Sequence, residues 1–418
     1  VHQYPPDYRG GTEYYTQTLA AAQAQQGHAV AVFVPAPTGD QGRAIRVDEN
    51  GVVVYRVPVG SRSRTKVFLH SLRQPGLRQA WREVLAQFEP DLVHVQHLMG
   101  LPFGLIEDMR VAGLPFVVTL HDYWSICANA QLITNTDGRI CAGPDEQAAN
   151  CARCALARGG AGSLGWLAPA LAPVMRYRNE SAGRFLNTAA RVIAPTAFVR
   201  DVYAQAGLAV DRLRVVPHGI DLPVERIAAA RELWRMREGD GRLHIGYIGS
   251  IGYLKGLHVL IDAVNALPPE SVTLTIYGGL SDFPDYVRDL QQRASHPGIT
   301  FAGVVARDDL WPAMADFDVV VLPTLWYEVS PLVIDEVFAM GIPIVASNIG
   351  AMAEKIRDGE NGRLFPPGDV AALTAILDDL QHHPGQLAEW ADGMPAVQSV
   401  AAHMKAIEEV YAAALVSV

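Results

Sequence analysis

The chain has no long apolar run. Half of its 418 residues are hydrophobic, yet no stretch approaches the roughly 18 apolar residues that a membrane-crossing helix requires. A soluble protein without a transmembrane helix is the expectation, and the opening residues show no signal peptide. Basic charge is in short supply: the net charge is −10. That acidity, with no aromatics interleaved among the cations, argues against a nucleic-acid partner. Internal repeats and low-complexity linkers are absent, apart from Gly159-Gly-Ala-Gly-Ser163, which reads as a mobile loop. A full first strand is missing too. The chain opens at Val1-His-Gln-Tyr-Pro5, whereas a doubly wound domain normally begins with a buried strand. About ten residues are expected to precede Val1 in the native protein.

What remains is long enough for two domains with cores of their own. The charge is uneven: residues 1–219 carry 21 Lys and Arg against 17 Asp and Glu, and the remainder 13 against 27. Between Arg56 and Arg82 stand seven cations and no acid: Arg56, Arg62, Arg64, Lys66, Arg73, Arg78 and Arg82. They read either as a solvated face or as a patch for anionic lipid headgroups or a phosphate-bearing acceptor.

Strand and helix patterns alternate twice along the chain, which predicts two doubly wound α/β domains. In the first half, turn-rich Tyr4–Gly11 leads into a helix capped by Thr12. Strands follow at 29–34, 52–57, 92–96, 115–120, 191–194 and 213–216, with helices at 72–88, 103–111, 177–187 and 197–206. The second half predicts strands at 244–248, 273–277, 299–302, 319–323 and 343–346. The expected division is 1–219 and 220–395, with 396–418 packing back on the first domain.

The stretch Trp326–Ile349 organises the second half. It follows an apolar strand, starts a helix near Pro331 and leads into the next strand. Glu328 falls just beyond the strand, in the crevice where open α/β sheets bind ligands. Ser330, Pro331 and Leu332 form a helix N-terminus, whose free N–H groups attract phosphate. Glu336 faces the same crevice. Lys255 follows a glycine-containing turn after another strand, where it can pair with phosphate oxygens.

These residues carry a resemblance. Glu328 and Glu336 are separated by seven residues, as in the signature of the family 4 retaining glycosyltransferases. Gly341–Ser347, Asp358–Asp369, Tyr4-Pro-Pro with Gly10-Gly-Thr-Glu13, His121-Asp-Tyr-Trp124, Ala194-Pro-Thr196 and Pro217-His-Gly-Ile-Asp221 also match, in the family's order. The resemblance implies a GT-B fold: two Rossmann-like domains facing across a cleft, the last helix returning to the first. It implies sugar transfer from a nucleotide-diphosphate sugar with retention at the anomeric carbon. By the same resemblance Glu336 binds the ribose hydroxyls. Backbone groups of Ser330, Pro331 and Leu332 bind the diphosphate with Lys255, Glu328 and His121 hold the donor sugar, and Val304 contacts the base. Gly11 approaches the phosphates; Gly10 and Glu13 approach the acceptor. The chain departs from the family at Ser250, where an Arg is usual, which puts donor affinity in question.

The leaving diphosphate and an oxocarbenium-like sugar are the charges to stabilise, and no catalytic divalent cation is expected. The acceptor reads as a glycan or lipid-linked molecule in surface polysaccharide or glycolipid synthesis, at the cytoplasmic side of a membrane with peripheral contact. A sugar-nucleotide epimerase or hydrolase, or an inactive accessory partner, are the alternatives. The four cysteines, Cys127, Cys141, Cys151 and Cys154, lie within 28 residues and end in Cys-x-x-Cys. Such a set suits structural zinc, with two disulfides, free thiols or an iron–sulfur cluster as alternatives.

Overall fold

A computed structural model describes residues 1–8, 10–37, 44–60, 63–237 and 239–416; Arg62 of the basic stretch lies outside them. The chain divides into two compact units, Val1–Gly219 with Val400–Val418, and Ile220–Ser399.

The first unit runs α1 (Gly11–Gln25), β1 (Val30–Ala36), β2 (Ile45–Glu49), β3 (Val52–Pro58), α2 (Arg64–Leu72), α3 (Pro75–Phe88), β4 (Val93–Val95), α4 (Gly104–Val111), β5 (Phe116–Thr119), α5 (Ala149–Arg158), α6 (Ala168–Thr188), β6 (Arg191–Ala194), α7 (Ala197–Gln205) and β7 (Leu213–Val215). Its strands form two sheets, ordered β1-β3-β2 and β4-β5-β6-β7. All pairs are parallel except β2–β3.

Three local details differ from the sequence expectation. The helix expected over 72–88 begins instead at Pro75, as α3, where the Gln74 side chain caps it by accepting the Leu77 N–H at 2.8 Å; a separate helix not expected from the sequence, α2, precedes it and ends at Leu72. The N-cap of α1 is Gly10, not Thr12, and no side chain caps it. The β2–β3 hairpin was not expected. Its turn residues Asn50 and Gly51 both have positive φ (55° and 82°), so Asn-Gly was the available signal.

The second unit comprises α8 (Val224–Met236), β8 (Leu243–Ile248), α9 (Leu257–Asn265), β9 (Val272–Tyr277), α10 (Pro284–Arg293), β10 (Ile299–Gly303), α11 (Leu310–Met314), β11 (Val319–Leu322), α12 (Leu332–Met340), β12 (Ile344–Ser347), α13 (Gly350–Lys355), β13 (Gly362–Phe365), α14 (Val370–His382) and α15 (Gly385–Asp392). One fully parallel sheet has the order β10-β9-β8-β11-β12-β13. Apolar residues on both strand faces make this possible: Val319 and Val321 pack into one buried cluster, Val320 and Leu322 into the other. Each cluster is closed by helices, α9, α10, α14 and α15 on one face and α8, α11, α12 and α13 on the other. Strand order reverses between β8 and β11, which opens a crevice beyond their carboxyl ends.

The final helix, α16 (Val400–Leu415), belongs to the first unit. Met404, Ile407 and Val410 pack with Tyr15 and Leu19 of α1 and with Val117 and Ile193.

Candidate active site

At the β8/β11 reversal, two loops are stitched together. After β8 the chain turns through Tyr253–Lys255 to Gly256, whose φ is +71°. A Cβ there would lie 1.8 Å from the Pro323 carbonyl oxygen, so only glycine allows the loops this close. Leu325 N–H donates to the Leu254 carbonyl at 2.8 Å. This clamp carries Lys255 to the loop after β11, where its Nζ is 2.7 Å from Glu328 Oε1.

Glu328 is buried, 6 % exposed. The same oxygen accepts the Trp326 indole N–H at 2.7 Å. Thr324 Oγ1 lies 3.3 Å from it and 3.2 Å from the Leu254 carbonyl. One carboxylate is therefore held by a cation and an indole donor, with the Lys255 ammonium also 5.9 Å from the Trp326 ring. A buried carboxylate with partners of this kind is fixed in place.

Just beyond, α12 starts at Leu332 with Pro331 as its N-cap and no side-chain cap. Its first N–H groups are open to an incoming acceptor. Ser330 Oγ, in the same loop, is buried and has no hydrogen-bond partner among the described residues. Ser250 is exposed, and its carbonyl accepts the Tyr247 hydroxyl at 2.8 Å.

Glu336, one turn into α12, is also 6 % exposed. Burial raises its pKa, opposed by its ion pair with Arg307 from the loop after β10. The sequence reading had no role for Arg307. Val304, three residues earlier in the same loop, is 77 % exposed. The chain contains one Asp-x-Asp triplet, Asp316-Phe317-Asp318, at the opposite end of β11. There Asp318 is committed to Arg237 and to the His244 N–H at 2.8 Å.

The first unit gathers a second constellation at the ends of its strands. His121 follows β5, and its Nε2–H donates to Gln96 Oε1 at 2.8 Å. Its ring stacks on His218 at 5.3 Å and meets the edge of Tyr15 at 4.9 Å. Burial first, then the neighbouring His97, lowers its pKa to about 3, so it is neutral at pH 7. His97 pairs with Asp122 at 2.8 Å. His403 on α16 joins Tyr15 to the Pro217 carbonyl, at 2.8 Å each. Of this cluster only His121 was singled out from the sequence with a role; its partners come from four other segments, at residues 15, 96–97, 217–218 and 403, with no shared spacing. Glu13, in the first turn of α1, is buried and folds over Gly10, where a Cβ would meet its Oε2 at 2.4 Å. Gly11 is exposed, with open space at its Cα.

Cys151 and Cys154 lie one turn apart on α5. Cys127 and Cys141 lie on the loop before it, and all four thiols are free. Cys154 Sγ accepts from Asn135 N and Nδ2 at 3.3 and 3.0 Å, and Cys141 Sγ accepts from Gly143 N at 3.4 Å. Burial, with the other three cysteines, pushes Cys151 up to about 11. Four sulfurs with N–H donors around them suit zinc chemically. Spatially the fit is incomplete: among the described residues no three His, Cys, Asp or Glu side chains come together at metal-holding distance.

Two doubly wound units, one with a phosphate-suited crevice at its strand reversal, define a GT-B glycosyltransferase fold. Solved structures agree. Sucrose-phosphate synthase from Thermosynechococcus elongatus superposes with a TM-score of 0.72 at 19 % identity, over 98 % of this chain and 94 % of its own. HepE from Anabaena, solved with UDP, superposes at 0.68 and 19 % identity, over 98 % of each chain. The chain belongs to Glycosyltransferase Family 4, whose pattern matches residues 9–223, and Glycosyl transferases group 1 matches residues 242–383. It is therefore an enzyme, a hexosyl-transferring retaining glycosyltransferase. A D-inositol 3-phosphate glycosyltransferase from Paenarthrobacter aurescens is 28 % identical over 89 % of this chain and 85 % of its own length.

Proposed function

We propose that this enzyme moves a hexosyl group from a nucleoside diphosphate sugar to a glycan or lipid-linked acceptor, with retention, in surface polysaccharide or glycolipid synthesis. The observation that carries the donor half is the Lys255–Glu328 pair beside the unpartnered Ser330 hydroxyl and the N-terminus of α12. In this reading Lys255 and the α12 backbone at Ser330, Pro331 and Leu332 neutralise the departing diphosphate. Glu328 holds the sugar and stabilises positive charge at its anomeric carbon, and neutral His121 hydrogen-bonds the sugar. Glu336 exchanges Arg307 for the ribose hydroxyls, with the base against Val304. Gly11 approaches the phosphates. The anomeric C–O bond to phosphate breaks as the acceptor oxygen bonds on the same face, and the acceptor proton passes to the leaving phosphate.

UDP is the first nucleotide to test, because HepE is solved with it. The named acceptor of the Paenarthrobacter relative carries phosphate, which suits the excess of cations over acids in residues 1–219. Gly10 and Glu13 are the acceptor-side residues in this reading. Membrane contact is supported by an exposed apolar ridge in the first unit: Leu164, Trp166, Val174 and Tyr177 are 41, 74, 39 and 54 % exposed, with no charged residue between Arg158 and Arg176. That ridge and a lipid-linked acceptor support a peripheral site at a membrane, placed in this reading at the cytoplasmic face. No described helix is long and apolar enough to cross the membrane. Zinc on Cys127, Cys141, Cys151 and Cys154 would tie the loop after His121 to α5; it requires the sulfurs to draw together.

Calorimetry with UDP, GDP, dTDP and ADP tests the reading, with Glu336→Ala as control. One nucleotide binding in the micromolar range, weakened tenfold or more by the substitution, is the expected result. Binding by none would overturn the donor site and favour an accessory protein.

A further inference from the structure

Among the described residues Arg178, on α6, is the only buried Lys or Arg, 1 % exposed. Its hydrogen bonds go to neutral acceptors, the Trp124 carbonyl and, at 3.1 Å, Asn179 Oδ1. The guanidinium also lies 4.4 Å from the centre of the Trp124 ring. These contacts satisfy donors but supply no full negative charge, and a buried cation without one is costly. The ionisable groups that face it are Cys127, Tyr203, Cys151 and Asp122. Tyr203 keeps its proton, which it donates to the Asp122 carbonyl at 2.7 Å. The Asp122 carboxylate is already taken, Oδ2 by His97 at 2.8 Å and Oδ1 by the Trp124 N–H at 2.7 Å. The cysteines remain.

N–H donors converge on all four sulfurs. Besides the contacts to Cys154 and Cys141 given above, Cys127 faces the backbone N–H groups of Asn129, Leu132 and Gln131. Asn179 Nδ2 lies 3.8 Å from Cys151 Sγ, so one amide bridges Arg178 to that sulfur. Donors around sulfur are the outer shell of metal-bound thiolates. We propose that Arg178 is the counter-ion of a metal–thiolate centre on Cys127, Cys141, Cys151 and Cys154. The proposal rests on the zinc reading given above and adds the buried charge that balances it. A divalent ion on four thiolates is a dianion, which Arg178 offsets from the interior. The dependence is mutual. Without the metal, Arg178 is a buried charge with no partner, packed on Trp124 of the loop that follows His121.

The test is made on the full chain and reads metal and folding rather than transfer. Zinc content is measured by mass spectrometry in the unsubstituted protein and in a variant with all four cysteines changed to Ser. About one equivalent is expected in the first and none in the second. Arg178→Met is expected to weaken zinc against a competing chelator about tenfold or more, and Arg178→Lys, which keeps the charge, by less. In denaturant unfolding Arg178→Met should lower the midpoint of the zinc protein. In the four-Ser background it should raise the midpoint, because it then removes an uncompensated charge. That second comparison stands even if Arg178→Met does not fold in the presence of the cysteines. Less than about half an equivalent of zinc in the unsubstituted protein would overturn the zinc reading and the counter-ion with it. Zinc held equally well by Arg178→Met, or a lowered midpoint in both backgrounds, would overturn the counter-ion alone. So would the reversal of sign appearing with Asp122→Asn in place of the four serines.

Discussion

The two units solve the same architectural problem with different polar chemistry in their interiors. In the second, one uninterrupted six-stranded parallel sheet brings two buried carboxylates to the reversal of strand order, each neutralised by a cation, Glu328 by Lys255 and Glu336 by Arg307. In the first, strand ends converge on buried histidines whose pKa values burial lowers, His121 hydrogen-bonded to Gln96 and His403 to Tyr15 and the Pro217 carbonyl. Ion pairs suit a site that must exchange a protein partner for a charged ligand. Neutral imidazoles suit one that must hydrogen-bond sugar hydroxyls without attracting bulk anions. The difference shows how one layout, helices over parallel strands, can place either kind of chemistry at the same end of a sheet.

The largest test of that contrast is Glu328→Gln. It preserves shape and a hydrogen-bond acceptor but removes the charge, and transfer is expected to fall about 10²- to 10³-fold in kcat. Nucleotide affinity should change little; a calorimetric loss equal to the kinetic one would move Glu328 from catalysis to binding. Next is Gly256→Ala. Its Cβ would collide with the Pro323 carbonyl at a positive φ, so the second unit should lose on the order of 3 kcal/mol. Denaturant unfolding should show the loss, and an unchanged midpoint would remove the loop clamp from the account.

Acid should separate the units more gently. His94 and His121 both have pKa values lowered to about 3, chiefly by burial. Lowered folded pKa values mean that the unfolded chain binds more protons between about pH 6.5 and 3. The first unit therefore loses stability as pH falls through that window, by up to about 1.4 kcal/mol per pH unit for each histidine. Glu336 and Asp335 in the second unit have raised pKa values, burial being the main cause. Their contribution has the opposite sign: full below the ordinary carboxylate range and lost as pH rises through the raised values. Amide exchange followed from pH 7 to 5 should show the first unit opening before the second, and simultaneous opening would refute the contrast. The smallest effect expected is at the apolar ridge. Trp166→Ser should weaken binding to vesicles of anionic lipid severalfold by sedimentation and leave turnover of a water-soluble acceptor unchanged.

Much of the second unit was legible in the sequence: 319–323 reads as an unbroken apolar run because β11 is buried on both faces, and 273–277 reads as an alternating strand because β9 is buried at every second residue. β13 was missed because Gly362-Arg-Leu-Phe365 is too short and too polar to carry a period. In the first unit the Pro75 break was readable from proline chemistry, and the β2–β3 hairpin from Asn50-Gly51. The pairing of Lys255 with Glu328 was not readable, since 73 residues separate them and only the adjacency of β8 and β11 brings them together. Arg307 was invisible for the same reason.

Sequence alone determined the repeated strand–helix alternation, the family, and which carboxylates and lysine stand at strand ends, because these depend on local period and on motif spacing. Tertiary structure alone decided which of them touch. Strand order is set by how helices pack on a twisted sheet, not by neighbours along the chain. That order makes Arg307 the partner of Glu336 and gathers four other segments around His121.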